Sequence, residues 1–172
     1  MLIDKHFKSG VPRQYNFQGG MSFREKYIWQ LGIEDLMKSN QDSIQKLYNH
    51  FLDGIDPESA KPYKILNLQQ CQAIGPHLDL TETQISEAYS FCKMIPQDEL
   101  GNYSSYKKLK LVEFRDFLVR LADTRFKSEA GLGFLDKVEL TLTALFKLIG
   151  CELAHGNHGI EVSSESDYDS DE

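Results

Sequence analysis

Long apolar runs are missing from this chain. Nothing in its 172 residues approaches the roughly 20 consecutive apolar positions that span a bilayer, and Met1 to Gly20 has no apolar stretch of the secretion-signal kind. A cytoplasmic protein without membrane contact is therefore expected. Cysteine is scarce as well: Cys71, Cys92 and Cys151 form an odd, widely spaced set, each inside a helical pattern among apolar neighbours. Such a set excludes a disulfide framework and reads as buried, reduced thiols. Positive charge is also in deficit, with 19 Lys and Arg against 26 Asp and Glu and a net charge of −7. Six of those negative charges fall in Glu161 to Glu172, which holds no Lys or Arg, so the rest of the chain is near −1. Nucleic acid, which demands a clearly basic face, is excluded as a partner.

Catalytic and metal-binding patterns are sparse. His6, His50 and His77 stand alone, without a nucleophile or carboxylate at useful spacing. Gly131-Leu132-Gly133 lacks the further glycine and the lysine of a phosphate loop. Cys151, His155 and His158 are spaced as zinc ligands on one helix would be, but Gly150, Gly156 and Gly159 interrupt that helix and no fourth ligand stands out. No enzyme, cofactor or metal site is expected.

What the chain does have is helical periodicity from Ser22 onward. Gly10, Pro12, Gly19 and Gly20, with scattered Phe7, Tyr15 and Phe17, make Met1 to Gly20 an aperiodic, extended arm. Ser22 with Glu25 fits a capping box that opens a helix carrying Phe23, Tyr27, Ile28 and Leu31 and ending at Gly32. Asp42 starts a second, with Ile44, Leu47, Tyr48, Phe51 and Leu52 on one face. After a loop containing Gly54, Pro57 and Pro62, Asn67 caps a helix that buries Leu68, Cys71 and Ile74 and ends at Gly75-Pro76. Thr81 with Gln84 opens the next, with Ile85, Ala88, Tyr89, Cys92 and Ile95, closed by Pro96. The most apolar face follows a polar loop, Gln97 to Tyr106, and comprises Leu111, Phe114, Phe117, Leu118 and Leu121. Beyond Gly131 and Gly133, Leu135, Val138, Leu142, Leu145 and Ile149 form a narrow stripe of the kind that packs into a groove.

One phrase occurs twice. Lys64-Ile65-Leu66-Asn67-Leu68 running into Cys71 and Ile74 matches Lys108-Leu109-Lys110-Leu111-Val112 running into Phe114 and Phe117, and the two frames lie 43 residues apart. Each follows a helix and a polar loop, which is the plan of a paired EF-hand. That loop binds calcium through oxygens at positions 1, 3, 5, 7 and 9, a glycine at 6 and a bidentate Glu at 12. With Glu113 at position 12, Leu109 takes the strand position, Asn102, Ser104 and Tyr106 take ligand positions, and Lys107 replaces the glycine. In the first copy Gln70 stands at position 12, with Ser59, Lys61 and Tyr63 at 1, 3 and 5. The packing residues are present and the calcium chemistry is gone. Residues 42–126 thus resemble a degenerate, calcium-silent EF-hand pair of the calmodulin superfamily. Two similar helix starts in an ordinary bundle remain the plain alternative.

The run Lys110 to Ala122, with Arg125-Phe126-Lys127 and the last amphipathic helix, also looks like EF-hand-like proteins of ciliary and flagellar axonemes. That resemblance implies a docking module on microtubules or other axonemal complexes. The expected fold is all-α: paired EF-hand-like helix-loop-helix units joined by a minimal two-stranded β link, plus an N-terminal arm and helix and a C-terminal amphipathic helix. The segments are an arm (1–21), a helical segment (22–41), the pair (42–126), the C-terminal helix with its glycine-rich end (127–160) and an acidic, disordered tail (161–172). The expected work is non-catalytic: a structural or adaptor subunit docking within a larger assembly, with tubulin or axonemal proteins as partners. A calcium-responsive regulator using Asp98 or Glu99 in an irregular loop is the alternative. Lys107, Lys108 and Lys110 with Arg115 and Arg120 form a candidate basic patch for an acidic surface. The tail's serines followed by acids suit acidophilic kinases.

Overall fold

The computed structural model describes residues 17–52, 65–94 and 107–155, and the fold is all-α. Helix α1 (Phe17–Phe23) runs directly into a wide π turn (Arg24–Ile28), followed by α2 (Leu31–Ser39), α3 (Gln41–Phe51), α4 (Leu68–Gln72), α5 (Gly75–Leu78), α6 (Glu82–Cys92), α7 (Leu111–Arg125) and α8 (Phe134–Phe146). A 3-10 turn (Lys147–Ile149) closes α8 and ends at Gly150, whose φ of 63° is the left-handed conformation glycine adopts without strain. Residues 1–16, both loops with their ligand positions 59, 61, 63, 102, 104 and 106, the acids Asp98 and Glu99, and the acidic tail lie outside the described residues.

Local hydrogen bonding explains where the middle helices begin. The Asn67 side chain accepts from the Gln70 amide at 2.9 Å while Gln70 reaches back to the Asn67 amide at 2.9 Å. Thr81 and Gln84 repeat the arrangement at 3.3 and 2.9 Å. Each box satisfies two amides that the first turn would otherwise leave open. Gly75 does not simply end a helix. It opens α5, where a Cβ would lie 2.8 Å from the Leu80 carbonyl oxygen, so the close approach of these two segments requires glycine.

The N-terminal elements differ from expectation. Ser22 lies inside α1 and caps nothing, because the helix starts upstream at Phe17 and runs through Gly19-Gly20. The break falls at Trp29-Gln30 rather than at Gly32, which is inside α2. Gln30 is extended (φ −76°, ψ 137°), and the turn before it closes by a hydrogen bond of 2.9 Å from the Trp29 amide to the Arg24 carbonyl, five residues back. Helix α2 then places Ile33, Leu36 and Met37 in the core.

Among the described residues one core cluster runs from Ile33 to Phe146, with Phe114, Phe117, Leu118 and Leu121 of α7 at zero exposure. Helix α8 lies chiefly along α7, with further contacts to α2, α3 and α5, and its Val138, Leu142, Leu145 and Phe146 are fully buried. The end of the described chain is clasped by Asn40. Its side chain accepts from the Ala154 amide at 2.8 Å and donates to the Ala154 carbonyl at 2.6 Å.

No strand forms among the described residues; the two chain segments meet in one antiparallel bridge, Leu66 with Leu109. The Leu109 amide donates to the Leu66 carbonyl at 2.6 Å. Tyr48 of α3 braces the bridge: its hydroxyl donates to the Leu109 carbonyl at 2.8 Å and accepts from the Leu66 amide at 3.4 Å. Its ring also meets Phe114 edge-on at 5.3 Å. Tyr48→Phe keeps the ring and strips both backbone groups of their partner inside the core. We expect a loss of about 1–2 kcal/mol, read as a lower urea midpoint at unchanged slope. A midpoint equal to that of the parent chain refutes the bracing role.

Candidate functional site

Glu113 sits in the first turn of α7, where carboxylates are favoured by the helix dipole, and it is 4% exposed. Both its oxygens are committed within the protein. Oε1 accepts from the Met94 amide at 2.9 Å, and Oε2 accepts from the Lys110 amide at 2.9 Å and from Lys93 Nζ at 3.4 Å. Lys93 is itself buried at the end of α6, its ammonium 4.6 Å from the centre of the Tyr89 ring and hydrogen-bonded to the Lys108 carbonyl. Burial lowers the Lys93 pKa from its ordinary value, and the Glu113 carboxylate acts in the opposite direction. The carboxylate that the EF-hand frame puts at position 12 therefore faces an ammonium ion of the same chain. Nothing in the sequence pattern signals this, since Lys93 lies 20 residues away on another element.

A second buried charge cluster fixes the N-terminal segment. Asp116 on α7 accepts from Arg24 Nε at 2.7 Å and from Arg120 Nε at 2.6 Å. Arg24 also donates to the Cys92 and Lys93 carbonyls at 3.1 and 3.4 Å, satisfying acceptors at the C-terminal end of α6. Arg120 donates to the Gly20 carbonyl at 3.3 Å and stacks 4.2 Å over the Phe23 ring. Tyr27 stacks on Phe134 at 4.1 Å, which ties the same segment to α8. Burial raises the Asp116 carboxyl pKa, with Arg120 and Arg24 pulling it back. Arg120 thus leaves the expected basic patch: it is buried and paired. Lys107, Lys108 and Lys110 are exposed and Arg115 is half-buried.

Other candidates fall apart in space. Cys71 and Cys92 are fully buried, and burial pushes both thiols upward, which keeps them protonated and unreactive. Cys151 is half-buried rather than buried, and packs against the core just beyond the Gly150 turn. His155 is exposed and 3.6 Å from Glu139, and His158 lies outside the described residues. His50 and His77 are exposed. Among the described residues no three His, Cys, Asp or Glu side chains converge as metal ligands, and no helix is long and apolar enough to cross a membrane.

Among the described residues there is an open groove of about 220 Å³. Arg24, Ile28 and Trp29 form one wall, Glu34 and Met37 of α2 and Met94 the next, and the α7 face Val112, Arg115, Asp116 and Val119 the third. Trp29, Met94 and Val112 are 54%, 42% and 52% exposed. No protein-family model, curated protein or solved structure matches this chain.

Proposed function

We propose that this protein is a non-catalytic structural or adaptor subunit, built on a calcium-silent EF-hand pair, that docks within a larger protein assembly. The observation that carries the reading is the ion pair of Lys93 with Glu113. A residue in the calcium-ligating frame is spent on an internal cation and on two backbone amides. The bridge between Leu66 and Leu109 supports the paired-hand reading, as the frame aligns those two leucines. Helix α8, lying on α7 with its apolar face buried, supports it too, for the groove such pairs offer to helices is filled by the chain itself. Partners then engage the outer surface. The assembly proposed is the ciliary axoneme with its microtubules, a choice that rests on the resemblance of Asp42 to Gly150 alone.

Two measurements on the intact chain test this. Isothermal titration with calcium is expected to give no binding heat; micromolar affinity with a change in helix packing instead establishes the calcium-responsive alternative. Affinity purification from the native source is expected to return a stable set of associated proteins. An abundant monomer without associates refutes the subunit reading.

A further inference from the structure

We propose that the groove around Trp29 is the docking site for an acidic, amphipathic segment of a partner protein. The segment seats bulky apolar side chains between Trp29, Met94 and Val112 and sets a carboxylate against Arg115. This inference rests on the docking reading above and gives it a place and a partner chemistry.

Composition is the first argument. The chain has one tryptophan, and it is half in solvent beside an exposed methionine and an exposed valine. Trp, Met and Arg are the residues that interfaces concentrate at their centres, and Trp and Arg contribute the most when buried by a partner. The π turn determines this exposure: its extra residue per turn ends the helix at Trp29 while Arg24 points inward to Asp116. A volume of about 220 Å³ falls below the ~300–1,000 Å³ of small-molecule sites, so it suits side-chain anchors better than a free ligand.

Charge decides the sign of the partner. Glu34, the acid on the α2 wall, is already paired with Lys38 at 3.0 Å. Asp116 is held by two guanidiniums, so that buried cluster leaves one positive charge in excess behind the groove. Arg115 has no ion-pair partner among the described residues, and Lys107, Lys108 and Lys110 are exposed just before Val112. Among the described residues, the uncompensated charge lining the groove is therefore positive, and low-dielectric walls extend its reach. A basic segment meets like charge there, while an acidic one gains both orientation and association rate.

Because Trp29 is the lone tryptophan, its emission reports on this groove. The probe is a tryptophan-free helical peptide of about 16 residues with leucines at i, i+3, i+4 and i+7 and glutamates elsewhere. A second peptide replaces every glutamate by lysine. With the full chain, the acidic peptide is expected to give a saturable blue shift and the basic peptide to bind at least about tenfold more weakly. Arg115→Glu is expected to reverse that preference, and Val112→Asp to weaken the acidic peptide about tenfold, both with the parent's urea midpoint. No shift, or equal responses to the two peptides, overturns the assignment. So does an emission change on removing residues 156–172, which makes the tail the occupant, or one that follows protein concentration, which makes a second copy the occupant. Associated proteins that still co-purify with Arg115→Glu retire this groove and leave the adaptor reading standing.

Discussion

Glu113→Gln is expected to lower stability by about 3–5 kcal/mol near pH 7, because it leaves the Lys93 ammonium buried without its counter-charge. The deficit should shrink at about pH 9.5. The sign follows from the Lys93 pKa, which burial already holds below the unfolded value. Between the folded and unfolded pKa values the unfolded chain binds the extra proton, so this group's contribution to stability rises with pH. Removing the carboxylate, which acts to raise that pKa, pushes the folded value lower and widens the window. The variant therefore gains more than the parent when pH rises through it. Urea denaturation of both proteins at the two pH values measures the difference directly. A deficit that is constant or growing at alkaline pH shows that Lys93 is not the uncompensated charge. Lys93→Met with Glu113→Gln should recover most of the loss, since neither charge then remains.

Arg24→Met should cost roughly 3 kcal/mol, and the loss should be local. Arg24 has three attachments that Met cannot reproduce: the Asp116 carboxylate and the Cys92 and Lys93 carbonyls. All of them connect residues 17–28 to the body, and Asp116 keeps Arg120 as a partner. Native-state hydrogen exchange is the fitting measurement, since it resolves opening segment by segment. Amides of α1 and the π turn should exchange about a hundredfold faster, while those of α7 and α8 change little. Uniform acceleration across the chain refutes a separable N-terminal clamp. Trp29 follows this clamp in sequence, so the variant should also disorder the groove wall.

Residues that act on near neighbours were the legible ones. The cap at Asn67, the capping box at Thr81, Val138, Leu142 and Leu145 of α8, and Phe114, Phe117, Leu118 and Leu121 of α7 all depend on contacts within a few positions, and each is found where the pattern puts it, whereas Leu111, Leu135 and Ile149 are only partly buried. Glu113 gave no cue to its contacts, since its partners Lys93 and Met94 come from another helix end. Arg24 had no signal at all, its carboxylate being 92 residues away. Arg120 was misread as surface because charge in a sequence says nothing of depth; Asp116, four residues before it, was the cue. The false start at Ser22 came from a local motif overruled by tertiary contacts. Gly20 gives its carbonyl to Arg120, and that anchor carries the helix further upstream.

Helix α8 has one more implication. It is tethered to α7 through only Phe126 to Gly133, and Lys137 shortens the leash by donating to the Phe126 carbonyl at 2.9 Å. A short tether holds its cargo at an effective concentration on the order of millimolar. A free helix at micromolar levels competes at about a thousandfold disadvantage, or about 4 kcal/mol, before any difference in fit is counted. Eviction is thus closed to ordinary ligands, and the docking proposed above would add to the protein's exterior rather than exchange its interior.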